Sequence, residues 1–199
     1  MTNFLRRVLW PAFALLVALT LITGVLYPAV VTAVAQLDFN HQANGSLIVA
    51  RDGRTIGSSL IGQAFSDDTY FRGRPSAAGA TDANPLGYDA SSSGGSNLGP
   101  TNQDLIDRID HSVAAYQAAN GNAPIPVDLI TTSASGLDPD ISPASAEYQV
   151  ARVAKARSMS EDDVRAAVAR HTEQPLLGFL GQPRVHVLEL NLDLDGLLQ

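Results

Sequence analysis

The sequence predicts a mixed α/β (α+β) protein: one N-terminal transmembrane helix, then a single exported domain built on a small mixed sheet. Three observations predict it. No charge occurs between Val8 and Leu37. The roughly 160 residues that follow are enough for one domain with its own core. Along them, segments of strand-like alternation and of helical periodicity interleave.

The predicted span runs from Val8 to Val34, VLWPAFALLVALTLITGVLYPAVVTAV, whose hydroxyl side chains are threonines and one tyrosine. A helix of that length rises about 40 Å, against a bilayer core of about 30 Å. In hydrocarbon a helix satisfies its own backbone hydrogen bonds. Trp10 and Tyr27 fall near the ends, as interfacial aromatics do. Pro11 suits a first helical turn, and Pro28 is expected to kink or end the helix. Ala33-Val34-Ala35 also reads as a signal-peptidase site ahead of Gln36. A signal h-region spans only about 7–15 residues, so length favours a retained anchor. Arg6 and Arg7 stay cytoplasmic by the positive-inside rule. Residues 1–35 are then cytoplasmic N-terminus and anchor, and residues 36–199 the exported, periplasmic or extracellular, domain.

Residues 36–46 read as a short polar connection. Leu47 to Ala50, the Asp52-Gly53 turn and Thr55-Ile56 predict a β-hairpin. Residues 75–100 are rich in Gly, Ser, Ala and Pro without either periodicity, which marks a disordered or functional loop. Thr101 with Asp104 predicts a capped helix carrying Leu105, Ile106, Ile109, Val113 and Tyr116, ended by Asn120-Gly121. Pro126 to Thr131 reads as a strand. Ser142-Pro143 starts a second helix with Ala146, Val150, Val153 and Ala154 on one face. Ser160 with Asp163 starts a third, through Val164, Val168 and His171. Arg184 to Leu192 alternates like a half-buried strand.

Composition excludes several chemistries. The exported part holds 11 basic and 20 acidic side chains, a formal charge of −9. That opposes nucleic acid and flat docking on anionic lipid. Without cysteine there are no thiolate metal sites and no Cys nucleophile. The single lysine, Lys155, follows Ala154, so no Walker A loop exists. His41, His111, His171 and His186 lack metal spacing. His186, alternating with Val185 and Val187, is expected on the surface or an edge strand. Gly-x-Ser-x-Gly is absent.

Two segments stand out. Ser93-Gly94-Gly95-Ser96-Asn97-Leu98-Gly99-Pro100 runs into a predicted helix. Its glycines either offer backbone N–H groups to an anion or carbonyl, or make a tight connection at positive φ. Ser133 to Ser142 (SASGLDPDIS) has small residues that permit close backbone approach. Its Asp138 and Asp140 either meet a cation or, as turn and capping chemistry explains at Asp138 and Ser142, serve the chain itself.

LIGQAF (60–65), YFRGRPSA (70–77), SGGSNLGP, SASGLDP (133–139), YQVARVAKAR (148–157), GQPRV (181–185) and LELNL (188–192), in this order, resemble the C subunit of the bacterial high-affinity potassium-transporting P-type ATPase. The likeness includes Gly24 and Tyr27-Pro28 of the anchor. It implies a non-catalytic accessory subunit of an ATP-driven potassium import complex in the bacterial inner membrane. The implied partners are a channel-like potassium-binding subunit, the P-type ATP-hydrolysing subunit and a small membrane peptide. The family is described both as a catalytic chaperone raising the ATP affinity of the hydrolysing subunit and as an external cap on the channel-like one. ATP would be bound jointly with the hydrolysing subunit, with no cofactor of the chain's own, and Gln149 is the position the family nominates for nucleotide. The charge reading places the domain outside, away from cytosolic ATP, and therefore favours the cap. Ser93, Gly94, Gly95, Ser96, Asn97, Gly136 and Asp138 are the expected partner interface. His186 departs from the family, where Asn is common. The residues themselves leave open a membrane-tethered exported scaffold or solute-binding protein, and a secreted hydrolase, which a mature N-terminus at Gln36 would favour.

Overall fold

The structure, a computed structural model, describes residues 2–198. The chain forms two compact units, residues 1–47 and 48–199.

The first unit is helical: α1 (Thr2–Leu21), a π-helical turn at Ile22–Leu26, α2 (Tyr27–Asp38) and the short α3 (Asn40–Ala43). From Phe4 to Asp38 this is one apolar helix of 35 residues, long enough to cross a membrane by length and composition, and none of it is buried. The expected span, Val8 to Val34, lies inside it. Pro11 is interior to α1 rather than in a first turn, because the helix already begins at Thr2. Pro28 does not end the helix, which runs on to Asp38. The π-turn just before it absorbs the missing donor, with the Tyr27 N–H reaching the Ile22 carbonyl. The polar connection is also partly helical. One helical turn apart, the amides of Asn40 and Asn44 donate to Gln36 Oε1 at 3.0 and 3.2 Å.

The expected hairpin follows, made of β1 (Leu47–Val49) and β2 (Thr55–Ser58). Gly53, at φ 84°, makes its turn. The 75–100 segment carries only a 3-10 turn at Ala90–Ser92 but is tied down by side chains described below. Next come α4 (Gln103–Asn120), α5 (Pro143–Arg157) and α6 (Glu161–Arg170). Ser142 and Ser160 cap the last two as the sequence indicates, and Gly121 ends α4 at φ 88°. Asn102, not Thr101, caps α4, accepting from the Asp104 N–H at 2.8 Å.

A three-stranded antiparallel sheet has the order β3 (Asp140–Ile141), β5 (Arg184–His186), β4 (Thr172–Glu173). Ile141 and Thr172 flank Val185 in register. Phe71, Ile141, Val150, Val153, Val164, Val185 and Leu190 form the core. Each such side chain contributes about 1.5–3 kcal/mol on burial.

Two predicted strands take other forms. Pro126 to Thr131 contains a 3-10 turn at Val127–Leu129, since its Asp128 carboxylate accepts from Ser142 N at 2.8 Å and from the Ser145 hydroxyl. The run after Arg184 leaves the strand at His186 and becomes α7 (Val187–Leu194). His186 itself is buried in the central strand rather than exposed at an edge. Its Nε2 lies 2.6 Å from the Ser59 carbonyl and so carries the proton. Nδ1 accepts from the Glu189 N–H at 3.4 Å and caps α7, a task the shorter Asn side chain also performs at helix starts.

Candidate functional site

Three of the recurrent motifs meet in a side-chain clasp. The extended segment Tyr70 to Gly73 crosses the core outside any sheet, so its backbone groups need other partners. Asn191 of α7 supplies them for Phe71: its Oδ1 accepts from Phe71 N at 2.8 Å and its Nδ2 donates to Phe71 O at 2.9 Å. Gln149 of α5 does the same for Arg72, accepting from its N–H at 2.9 Å and donating to its carbonyl at 3.1 Å. These amides imitate a neighbouring strand. Gln149 also donates to Ser145 O at 3.2 Å and accepts from Arg152 Nη2 at 2.8 Å. Both donors and both acceptor positions of its amide are therefore in use. Gln149, Asn191 and Phe71 are all fully buried. From sequence an amide on a helix reads as solvent-facing; Gln149 is instead interior.

Arg152 completes the clasp with bonds to the carbonyls of Asp68 and Tyr70 at 2.6 and 3.1 Å. Burial and the nearby Arg72 guanidinium pull its pKa down to about 10, which leaves it charged at neutral pH. Arg157, one turn further along α5, donates to Thr69 O and Leu194 O at 2.6 and 2.9 Å.

The expected partner-interface residues form a second junction. Here the Gly/Ser loop lies against the Ser133–Asp138 segment. Gly94 N–H donates to Ser135 O at 2.8 Å, and the Ser93 hydroxyl reaches the same oxygen at 3.0 Å. The Ser96 and Thr132 hydroxyls are 3.5 Å apart. The Gly94 donor is therefore spent inside the chain rather than offered to an anion. Neither Gly94 nor Gly95 has positive φ, so the tight-connection reading fails at both, while Asn97 sits at φ 52°. At Gly95 a Cβ would lie 3.2 Å from Ala134 O, the close backbone approach that the absence of side chains suggested. Gly136 is buried at φ 67°, with Gly94 O only 2.6 Å from where its Cβ would be. Ser93 and Asn97 are exposed, and Asp138 is half-buried.

Asp138 spends its carboxylate locally. Oδ1 accepts from Asp140 N at 3.1 Å, and Oδ2 pairs with Arg74 Nη1 at 3.0 Å. Sequence reasoning passed over Arg74, Ser76 and Tyr88, which tie the two segments to RPSA. Ser76 Oγ donates to Gly136 O at 2.6 Å and accepts from Tyr88 N, while Tyr88 OH donates to Arg74 O at 2.6 Å. Burial raises the Tyr88 phenol well above its ordinary range. The one signal available was the place of Arg74 and Ser76 inside a recurrent motif. Beside the junction, burial pushes the Asp140 carboxyl up. At Asp128 burial acts in the same sense, but hydrogen bonds from Ser145 and Ser142 outweigh it and bring the pKa below 3.8. Chemically, clasp and junction are scaffolding: their polar atoms bind one another and leave a shaped surface.

The profile of the family described as K+-transporting ATPase, c chain, matches residues 9–196. Among curated proteins, the potassium-transporting ATPase KdpC subunit of Koribacter versatilis (strain Ellin345) is 58% identical over 180 residues, covering 90% of each chain. The subunit of the same name from Sorangium cellulosum (strain So ce56) is 57% identical over 188 residues, covering 94% of this chain and 96% of its own. That from Rhodopseudomonas palustris (strain BisB18) is 56% identical over 192 residues, with the same coverage. With the motifs in order along nearly the whole length, the chain belongs to the family of K+-transporting ATPase c chains.

Proposed function

We propose that this chain is the non-catalytic accessory subunit of an ATP-driven potassium import complex, held in the bacterial inner membrane by its N-terminal helix. The observation that carries this is the family match over residues 9–196, which takes in both the apolar helix and the globular unit. The partners are the channel-like potassium-binding subunit, the ATP-hydrolysing P-type subunit and the small membrane peptide. Arg6 and Arg7 hold the N-terminus in the cytoplasm and the globular unit lies outside, where it caps the channel-like subunit. Ser93, Asn97 and their neighbours face that partner.

The catalytic-chaperone role is then indirect. A rise in ATP affinity is transmitted through subunit contacts, and Gln149 contributes by holding the clasp rather than by touching nucleotide. What supports this is the saturation of its amide and its complete burial.

Orientation is the first point to test. With the full chain in membranes, a cysteine replacing exposed Asn122 should react with a membrane-impermeant thiol reagent added from outside, and one replacing Asn3 should not. The reverse pattern of labelling would remove the external cap.

A further inference from the structure

Between β4 and β5 the chain runs from Gln174 to Pro183 without a charged residue. It closes as a small hairpin: Leu176 N donates to Leu180 O at 3.2 Å and Leu180 N to Leu176 O at 2.9 Å. At its tip Leu176, Leu177, Phe179 and Leu180 are 70%, 76%, 72% and 51% exposed. Among the described residues of the globular unit, no other stretch so short exposes four large apolar side chains. Single exposed apolar residues are ordinary, whereas a contiguous cluster marks a contact surface. The turn is also strained. Leu177 sits at φ 56° and Gly178 at φ 79°, and a leucine in the left-handed region is uncommon. Strain held at an exposed apolar tip is a feature that function, not core packing, explains.

We propose that this tip is an anchor by which the subunit seats itself in an apolar, uncharged recess of a membrane-embedded companion subunit of the pump. This rests on the reading of the chain as a pump subunit and adds a contact separate from the Gly/Ser junction. A protein recess suits the tip better than lipid for two reasons. A bonded turn with fixed side-chain directions matches a shaped site, and a fluid bilayer has no use for that order. The surroundings also oppose an anionic bilayer. The segment from residue 36 carries −9, the tip has no Lys, Arg, Trp or Tyr, and Arg184 at its base is already paired with two carboxylates, those of Asp140 and Glu173. An uncharged tip loses no ionic solvation on entering an apolar recess.

The test uses the full chain co-expressed with the other subunits of its pump. A photoreactive benzophenone side chain at position 179, irradiated in whole membranes, should join the chain to a companion subunit. The double change Leu177→Ser, Phe179→Ser should cut the companion subunits retained on purification by about tenfold or more, as truncating central apolar anchors does. The melting temperature of the variant should match that of the parent, because neither side chain enters the core, and Phe179→Tyr should retain assembly. Adducts only with lipid, or only with a second copy of this chain, would overturn the proposal, as would undiminished retention by the double variant. If the unaltered chain retains no companion subunit, the pump reading and this inference fall together.

Discussion

Replacing Asn191 by alanine should destabilise the globular unit by about 3–5 kcal/mol, the larger part from two buried backbone groups left without partners. Asn191 meets both polar groups of Phe71, at 2.8 and 2.9 Å, and both residues are fully buried. No water reaches them, so each orphaned group costs about 1–3 kcal/mol, and the vacated volume adds to that. For a unit of this size the melting temperature of the purified full chain should fall by about 10 °C. Gln149→Ala should act similarly, since it orphans Arg72 N–H and C=O. Arg165→Ala, which removes only exposed ion pairs with Glu147, Glu161 and Asp162, should stay within about 0.5 kcal/mol of the parent. Asn191→Ala melting with the parent would show that the clasp does not hold the Tyr70–Gly73 segment.

Gly136→Val should be as damaging, for a different reason. At φ 67° a β-branched residue is a severe backbone outlier, and its Cβ would meet Gly94 O at 2.6 Å and Ala78 N at 2.8 Å. Backbone atoms cannot swing aside as a flexible side chain does, so the two segments must separate. A loss above about 3 kcal/mol is expected, with assembly lost only in proportion. Gly94→Val makes the contrasting variant. A Cβ there meets only Ser92 O, at 4.0 Å, and the residue has no positive φ. Its melting temperature should move by less than about 2 °C, while assembly weakens if this face meets a partner. A collapse of Gly94→Val as deep as that of Gly136→Val would confine the junction to the domain's own folding.

The difference between these glycines was not legible in the sequence, where they look alike; it depends on which backbone passes each one. Local chemistry was legible. Ser142-Pro143, Ser160 with Asp163, Asn120-Gly121 and Asp52-Gly53 each act through atoms a few residues apart, and each appears where the sequence put it. Long-range use of local groups was not. Asp128 turns PVDLIT into a support for the start of α5, whose N-cap Ser142 lies fourteen residues later. His186 converts the alternating RVHV into a helix start, a switch that the later apolar run LELNL allows because it fits either period. Gln149 offers a partial exception. It lies three residues after Ala146 and four before Val153, beside the face read as apolar, although an amide on a helix reads first as solvent-facing. What it binds could come only from the fold. The apolar tip at 175–180 was open to inspection as a charge-free stretch with four large apolar residues, but a hairpin and a core segment look the same in one dimension.

Potassium uptake by cells tests the central claim most directly. Cells lacking other high-affinity uptake would express the companion subunits of this pump with or without the chain, and uptake would be measured at limiting external potassium. The account predicts uptake only when the chain is present with both its apolar helix and its globular unit, and none from the globular unit expressed alone. Equal uptake with and without the chain would contradict its role as a required subunit of the pump.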